Sequence, residues 1–443
     1  MNIQLSDHFT YRRLFRFTLP SIVMMIFTSI YGVVDGLFVS NFVGKTPFAA
    51  INLVMPFIMI LGGVGFMIGT GGSALVSKTM GQNEPEKARR IFSMMIELTL
   101  LAGAALSALG IVFIEPIARL FGASEAMLPD CVLYGRIVLA FNAAFMLQNV
   151  FQAFLVTAER PHMGLYVTVA AGVTNMALDA LFIAVFKWGV AGAAIATGLS
   201  QCVGGLIPLI YFIRPNKSPL RLKLAALQLP PILQACANGS SELMSNISGS
   251  LVSIAYNAQL MKYAGENGVA AYGVLMYVQF IFIAIDVGYA VGCAPIVGYH
   301  YGAQNHGELK NMLRKSLFLM SISGVVLTLL AAALAAPLAR LFVGYDQALF
   351  DMTRHAFRLF SLSFLLAGIN IYVSSFFTAL NNGAVSAIVS FLRTLVFQML
   401  CVLVLPIFLG IDGIWWAMAV AEVFAFILSL SFLIGKRNKY HYM

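Results

Sequence analysis

The hexapeptide Pro116-Ile-Ala-Arg-Leu-Phe121 returns as Pro337-Leu-Ala-Arg-Leu-Phe342, at a spacing of 221 residues. The same spacing relates Gly44 to Gly265 and Gly189 to Gly410. Isolated glycine matches are expected by chance in a chain this rich in small residues, but a hexapeptide in the same register is not. The sequence is therefore interpreted as two similar halves, an arrangement typical of membrane transporters.

The composition places both halves in a membrane. Of 443 residues, 60% are hydrophobic and only 10% are charged, and the mean hydropathy is +0.88. Soluble proteins carry about 45–50% apolar and about 25% charged residues. So few charges could not cover a water-facing surface, which argues against a soluble enzyme, a disordered scaffold and a nucleic-acid binder.

Long apolar runs separated by charged residues or by Gly, Pro and Asn predict twelve spans of about 20 or more residues. The predicted class is an all-α integral membrane protein with two six-helix bundles, residues 1–213 and 231–443, joined by a basic linker at 214–230. Because each bundle holds an even number of spans, the two should be related by a pseudo-two-fold axis along the membrane normal. The spans are predicted at 14–40, 47–75, 91–114, 127–157, 162–186, 190–213, 231–262, 268–298, 313–336, 350–379, 384–408 and 413–435.

Most of the 27 Lys and Arg residues fall in alternate loops, with clusters at 12–16, 78–90, 214–223 and 436–439. Basic loops remain on the cytoplasmic side of a membrane, so both termini are expected to be cytoplasmic. The five cysteines are scattered singly through apolar runs, without a pattern that indicates a disulfide framework or a zinc site. No cofactor is expected.

Charged residues well inside the predicted spans are candidates for function, because a charge at the bilayer centre costs a few kcal/mol. Glu97 lies close to a basic cluster and could simply reach toward it, whereas Arg393 and Glu422 could pair with each other. Asp35 and Asp179 have no basic residue within two helical turns, and neither does Glu242. The full set is Asp35, Glu97, Asp179, Glu242, Asp286, Arg393 and Glu422.

Asn175 and Asp179 are four residues apart and therefore share one face of the fifth span. A carboxylate with a carboxamide one turn away suits a small hard cation such as Na+, or a shared proton. Asn149, Gln152 and Thr197 lie at similar depth, but interhelical hydrogen bonding explains such side chains equally well. Spacing along the chain does not show whether these groups converge.

The chain resembles the multidrug and toxic compound extrusion (MATE) transporters over nearly its whole length. The resemblance rests on two six-span halves and on the opening FTLPSIVMMIFTSIYGVVDGLFVSNFVG at 17–44. It extends to SALVSKTMGQNEPEKARR at 73–90 and its partner VGYHYGAQNHGELK at 297–310. It implies a V-shaped pair of bundles and an outward-pumping antiporter driven by Na+ or H+.

The resemblance extends to individual residues. The residues of the family's cation site in the first bundle are similar to residues at matching positions of this chain. The proline that bends the first span looks like Pro20, which also lacks the backbone donor of an ordinary helical residue. In one branch of the family, acids of the seventh and tenth spans matter as well. Glu242 could fill the former, but the tenth span has Asn370 and no central carboxylate, so a second acid site would involve Glu242 and Asp286. The first-bundle matches are Asp35, Asn149 (with Gln152 as the alternative), Asn175, Asp179 and Thr197.

The resulting hypothesis is an exporter of lipophilic organic cations and drugs, acting as a monomer in a bacterial or archaeal cytoplasmic membrane. A lipid-linked oligosaccharide flippase is the main alternative, but it should carry basic residues in its central cavity, where this chain has acids. A major-facilitator carrier would show a Gly/Asp/Arg-rich loop between its second and third spans, which is missing here. A membrane structural or receptor protein would not explain the repeat and the unpaired acids.

Overall fold

The computed structural model describes residues 3–442, and all regular structure within them is helical. Two short segments, Ala180–Val185 and Leu392–Phe397, are π-helical, and Ser361–Ser363 is a 3-10 turn. The α-helices are α1 (Tyr11–Phe42), α2 (Lys45–Gly81), α3 (Pro85–Leu120), α4 (Leu128–Ala140), α5 (Asn142–Thr157), α6 (Pro161–Asp179), α7 (Gly189–Ile213), α8 (Leu229–Gly302), α9 (His306–Val343), α10 (Gln347–Phe360), α11 (Phe364–Ala379), α12 (Gly383–Phe391), α13 (Gln398–Leu409) and α14 (Ile411–Tyr440).

These helices make twelve membrane crossings, as the apolar runs predict. α4 and α5 form one crossing with a 56° bend, α10 and α11 form another, and α12 continues through its π segment into α13. α8 is 74 residues long, which at 1.5 Å per residue is about 110 Å, far more than the bilayer core of about 30 Å. It is two crossings that meet at Gly265, whose backbone is not helical (φ 62°, ψ −151°).

The repeated glycines mark equivalent turns in the two halves. Gly44 separates α1 from α2 with φ 124°, and its counterpart Gly265 separates the two arms of α8. Gly189 and Gly410, with φ 59° and 61°, begin the last crossing of each half. Positive φ at these positions is easily adopted by glycine alone. The sequence repeat is thus a repeat of turn geometry.

Each half has an apolar core of its own. In the first half, Phe92 lies edge-on to Phe154 and Phe212, with ring centroids 4.9 Å apart in each pair. In the second half, Tyr256 stacks on Tyr272 at 4.9 Å, within a cluster of buried side chains from α8, α9, α10 and α14. Lipid is as apolar as these side chains, so close van der Waals packing, rather than burial from water, holds such bundles together.

The halves meet where α1 and α2 pack against α8. Glycines allow this close approach: Gly71 contacts the backbone of Ala235 and Gly239, and Gly302 contacts the backbone of Lys78. Asn381 also donates to the carbonyl of Ala74 at 3.1 Å. These contacts lie toward the end of the bundle that carries the N-terminus and the basic loops, which we term the basic end.

Toward the opposite end the halves separate. Ser29 of α1 still donates to the carbonyl of Phe280 at 3.3 Å, and Asn246 of the first arm of α8 still faces Gly63 of α2. Gly32 and Gly249 lie three residues farther along the same faces. Among residues 3–442, a Cβ added at either position would meet nothing within 4 Å. The two bundles therefore form a V that is closed at the basic end.

Residues 3–9, which we term the N-terminal clasp, bridge the two halves across the basic end. The backbone N–H of Leu5 donates to Glu159 Oε1 of the first half at 2.8 Å. The N–H of Phe9 donates to Glu308 Oε1 of the second half at 2.9 Å, and His8 Nδ1 lies 2.7 Å from Glu308 Oε2. Leu5 and Phe9 are fully buried, so the clasp is part of the packed interface.

The linker runs along α3 without regular structure. Arg89 donates to the carbonyl of Pro219 at 3.0 Å, and the N–H of Lys223 donates to Ser93 Oγ at 3.1 Å. The N–H of Ala225 donates to Glu97 Oε1 at 3.0 Å. Glu97 therefore anchors the linker and has a structural role.

Candidate functional site

Four crossings of the first half bring polar side chains together inside the bundle. Asp35 of α1 lies beside Asn175 and Asp179 of α6. Tyr134 of α4 lies beside Thr197 of α7, with both acids close by. Asp179 is fully buried and Asn175 is 2% exposed. Asp35, Asn175, Asp179 and Thr197, which the sequence suggests separately, thus form one cluster, termed here the acid cluster.

The acid cluster holds more oxygen atoms than the protein satisfies. A buried polar atom without a partner costs free energy, so buried polar groups are nearly always hydrogen-bonded. Oxygen ligands at such a site suit a hard cation or a proton. Among residues 3–442, the buried oxygens of this cluster that accept no hydrogen bond are Oδ1 of Asp35, Oδ1 of Asn175, both carboxylate oxygens of Asp179 and Oγ1 of Thr197.

The charges of the acid cluster are equally uncompensated. Within the described residues, neither Asp35 nor Asp179 takes part in an ion pair. Two adjacent carboxylates in a poorly polar interior cannot both remain ionised without a positive charge nearby. Binding a proton or a small cation relieves this repulsion.

Local helix geometry contributes to the position of Asp179. It is the last residue of α6 before the π-helical segment Ala180–Val185. Such π-bulges are rare and occur frequently at functional sites. A similar segment, Leu392–Phe397, interrupts the equivalent crossing of the second half and contains Arg393.

Several neighbours of the acid cluster were not suggested by the sequence. Tyr134 is 1% exposed and lies near both acids, and Tyr31 lies close to Asp35 and to Gln148. Gln201, one turn after Thr197 on α7, has a buried Oε1 that accepts no hydrogen bond from residues 3–442. Helical spacing could have indicated two of them. Tyr31 precedes Asp35 by four residues and Gln201 follows Thr197 by four, so each shares a helix face with a residue of the acid cluster.

Asn149 and Gln152 of α5 make contacts of their own. Asn149 donates to the carbonyl of Gly62 at 3.2 Å, which ties α5 to α2. Gln152 lines a small pocket that also includes Thr168 of α6. Thr168 precedes Asp179 by eleven residues, or about 16 Å along the helix. Within the described residues, no hydrogen bond links either side chain to the acid cluster.

Pro20 lies in an unbroken α1 and is buried. Its flanking turns contact the second half closely: Gly288 lies against the backbone of Ile22, and Gly292 lies against Thr18. α1 therefore touches the other half near Pro20 and carries Asp35 four turns farther on. A bend at Pro20 stays a prediction.

Glu242 and Asp286 lie apart from each other. Glu242 is partly exposed and lies one turn before Asn246, on the side of α8 that faces the first half. Asp286 is fully buried inside the second half, where Ser323 of α9 donates to its Oδ1 at 2.9 Å. Arg393 and Glu422 do pair, as the sequence suggested, at 2.8 Å.

The family model MatE matches residues 20–181 and again residues 243–404. The chain belongs to the MATE family. The two matches fall one in each half, and so the MATE signature covers both bundles. Together with the helical architecture, they confirm the family suggested by the sequence.

MATE relatives of this chain include "Multidrug export protein MepA" of Staphylococcus aureus (strain MRSA252). It is 23% identical over 414 residues, which cover 93% of this chain and 91% of that protein. The protein of the same name from Staphylococcus saprophyticus is also 23% identical over 414 residues, with the same coverage.

Solved MATE structures show the same fold. One described as the outward-facing conformation of a multidrug resistance MATE family transporter has a TM-score of 0.91, with 22% identity, and covers 97% of this chain and 96% of that chain. A Pyrococcus furiosus transporter, described as having a binding pocket of reverse polarity that suggests a different function, has a TM-score of 0.88 with 22% identity and covers 96% of this chain and 95% of that chain.

Proposed function

We propose that this protein is a secondary active exporter of lipophilic organic cations, coupled to the entry of H+ or Na+. The observation that carries the proposal is the acid cluster, where Asp35 and Asp179 lie together without a basic partner. The export of drugs by relatives named for that activity supports the direction of transport. The basic end would then face the cytoplasm of a bacterium or archaeon.

The V between the halves suits the second transported species, the lipophilic organic cation. It opens at the end opposite the basic loops, and Glu242 lies partly exposed on the side of α8 that faces it. Within the described residues, Glu242 forms no ion pair. An acid in this position favours an organic cation over an anion of the same size.

Coupling follows if the acid cluster and the drug bind different states. A ligand shifts a conformational equilibrium only through its different affinities for the two states. An inward-moving ion that neutralises Asp35 and Asp179 removes the repulsion between them, so α1 and α6 can pack more closely. A change of α1 near Pro20, where it contacts Gly288, would carry this event to the other half and release the drug outward.

The alternative of a lipid-linked oligosaccharide flippase has less support. Pyrophosphate recognition needs an accessible cationic group, usually arginine. Arg393, which lies in the interior of the second half, is paired with Glu422. The ion-coupling residues Asp35 and Asp179 and the V all belong to one chain. A monomer is therefore sufficient for the proposed activity.

The test is efflux of a fluorescent lipophilic cation from proteoliposomes, with pH and Na+ gradients imposed separately. We expect one of the two gradients to drive transport, and we expect Asp35→Asn and Asp179→Asn each to reduce it to background at normal protein levels. Asp351→Asn is the matched control, because Asp351 is half exposed and contacts Arg354 and Gln347 on the surface. Wild-type efflux in both acid variants would refute the proposal.

A further inference from the structure

The second half contains a buried polar cluster that the proposed mechanism does not use. It consists of Asp286 of α8, Ser323 of α9, Asn370 of α11, Arg393 of the π segment and Glu422 of α14. Asp286 and Asn370 are fully buried, and Glu422 is 1% exposed. In contrast to the acid cluster, it contains a base.

Within this cluster, Arg393 forms a two-pronged pair with Glu422. Nε of Arg393 lies 3.0 and 3.1 Å from the two carboxylate oxygens, and Nη2 lies 2.8 Å from Oε1. Asn370 adds a hydrogen bond to Glu422 Oε2 at 2.7 Å and one to the Glu422 carbonyl at 3.0 Å. A two-pronged arginine–carboxylate pair of this kind is strong and fixed in orientation.

Asp286 is left without a charged partner. Its Oδ1 accepts the hydrogen bond from Ser323, but its Oδ2 is buried and accepts none from residues 3–442. A glycine of α11 makes room for the carboxyl group, because a Cβ on Gly368 would lie 2.9 Å from Asp286 Cγ. The absence of a side chain at Gly368 thus leaves the space that the Asp286 carboxyl group occupies.

The charge count of the cluster is two acids against one base. Arginine keeps its positive charge in proteins, and Glu422 already neutralises it. The charged groups that act on Asp286 are Arg393 and Glu422, while Ser323, Gly368 and Asn370 present no charge. Tyr256 lies close to both Glu422 and Cys401. An ionised Asp286 would therefore be an uncompensated buried charge, which is strongly unfavourable.

We propose that Asp286 is a second, proton-specific binding site, and that Arg393 is a tethered cation that replaces a mobile one in the second half. A metal cation prefers several oxygen ligands, and here the nearby guanidinium would also repel it. A proton needs only one carboxylate oxygen. The acid cluster of the first half differs on both counts. It offers five unsatisfied oxygens as ligands, and it contains no basic group that would repel a metal cation.

The repeat supports this division of roles. Asn370 and Glu422 stand 221 residues after Asn149 and Gln201. The second half therefore has an acid where the first half has a neutral amide, and Arg393 supplies the matching positive charge. The two halves bury similar polar layers with different charge balance.

The test follows the carboxylic acid C=O stretch by infrared difference spectroscopy on purified protein in nanodiscs, during pH and Na+ titrations. The background is Asp35→Asn/Asp179→Asn, which removes the signal of the acid cluster. We expect a pH-dependent band that is insensitive to Na+ and disappears in Asp286→Asn. A band that Na+ displaces, or no band that depends on Asp286, would overturn the proposal.

Two further variants keep the test decisive if Asp286→Asn folds poorly. Glu422→Gln removes the partner of Arg393, so the guanidinium can neutralise Asp286, and the acid band should vanish at neutral pH although Asp286 is still present. Ser323→Ala should move the midpoint of the band without removing it. Unchanged bands in both variants would contradict the charge count. Because binding is measured without transport, this result is separate from that of the efflux assay.

Discussion

Thr197 is an uncharged member of the acid cluster. Replacing it therefore tests whether its hydroxyl binds the coupling ion without changing the charge of the site. Its Oγ1 is buried, and among residues 3–442 it accepts no hydrogen bond. Removing a hydroxyl that binds the coupling ion should cost about 1–3 kcal/mol. We expect Thr197→Val to raise the half-saturating concentration of the coupling ion about tenfold. Thr197→Ser keeps the oxygen and is the control, and equal ion dependence in the two variants would exclude Thr197 as a ligand.

The pair between Arg393 and Glu422 makes a prediction about stability. Removing one partner of a buried ion pair typically costs about 3–5 kcal/mol, whereas replacing both by apolar groups can be neutral. Arg393→Met leaves the buried Glu422 without its base, so it should unfold at a lower temperature than the double variant Arg393→Met/Glu422→Met. Thermal unfolding in detergent measures this, and the reverse order would contradict the pairing.

The N-terminal clasp joins elements of both halves at the basic end, and Glu308 is its main anchor. Its carboxylate accepts from Phe9 and Asn311 and contacts His8. We expect Glu308→Ala to loosen the closed end, because the clasp then loses the carboxylate that holds His8 and the Phe9 N–H to the second half and keeps the weaker hold of Asn311 and Lys315 on the Phe9 carbonyl. Spin labels at the exposed positions Gln82 and Gln304 should report longer and broader distances, while Ser6→Ala, an exposed clasp residue, should leave them unchanged.

The glycine contacts between α2 and α8 make a second prediction about the arrangement of helices. A side chain at Gly239 would collide with the backbone carbonyl of Met67, so Gly239→Leu should prevent closure at the basic end. We expect labels at Ser124 and Glu266, on the opposite end of the two halves, to come closer together. Gly249→Leu is matched in size but enters open space, and the same shift in both variants would refute the idea.

The two halves differ in how the linker is held. The linker is hydrogen-bonded to α3 of the first half up to Ala225. A chain divided after Leu227 should therefore reassemble from two co-expressed fragments and retain transport, because the described hydrogen bonds between linker and α3 all stay within the first fragment. Division after Arg221 places Lys223 and Ala225, which make two of these contacts, on the second fragment. We then expect affinity purification to recover a smaller amount of the two-fragment complex. Equal recovery would mean that the linker contacts are dispensable.

Much of the molecule follows from the sequence because the bilayer imposes simple rules. Apolar length gives the crossings: three pairs of the fourteen helices each form one crossing, and α8 forms two that meet at Gly265, which makes twelve. The 221-residue spacing gives the two halves, since equivalent glycines with positive φ form equivalent turns. The rarity of charge in a membrane identified the acids individually.

The sites themselves depended on the tertiary structure. Helical spacing shows which residues share a face of one helix, such as Asn175 and Asp179, but not how neighbouring helices are rotated against each other. Only the packing brought Asp35, Tyr134 and Thr197 to Asp179, and among residues 3–442 no hydrogen bond joins Asn149 or Gln152 to them. The same is true of Arg393, whose pairing with Glu422 leaves Asp286 alone. The sequence by itself determined that buried charges exist; packing decided which of them are compensated, because compensation is a matter of distance between helices.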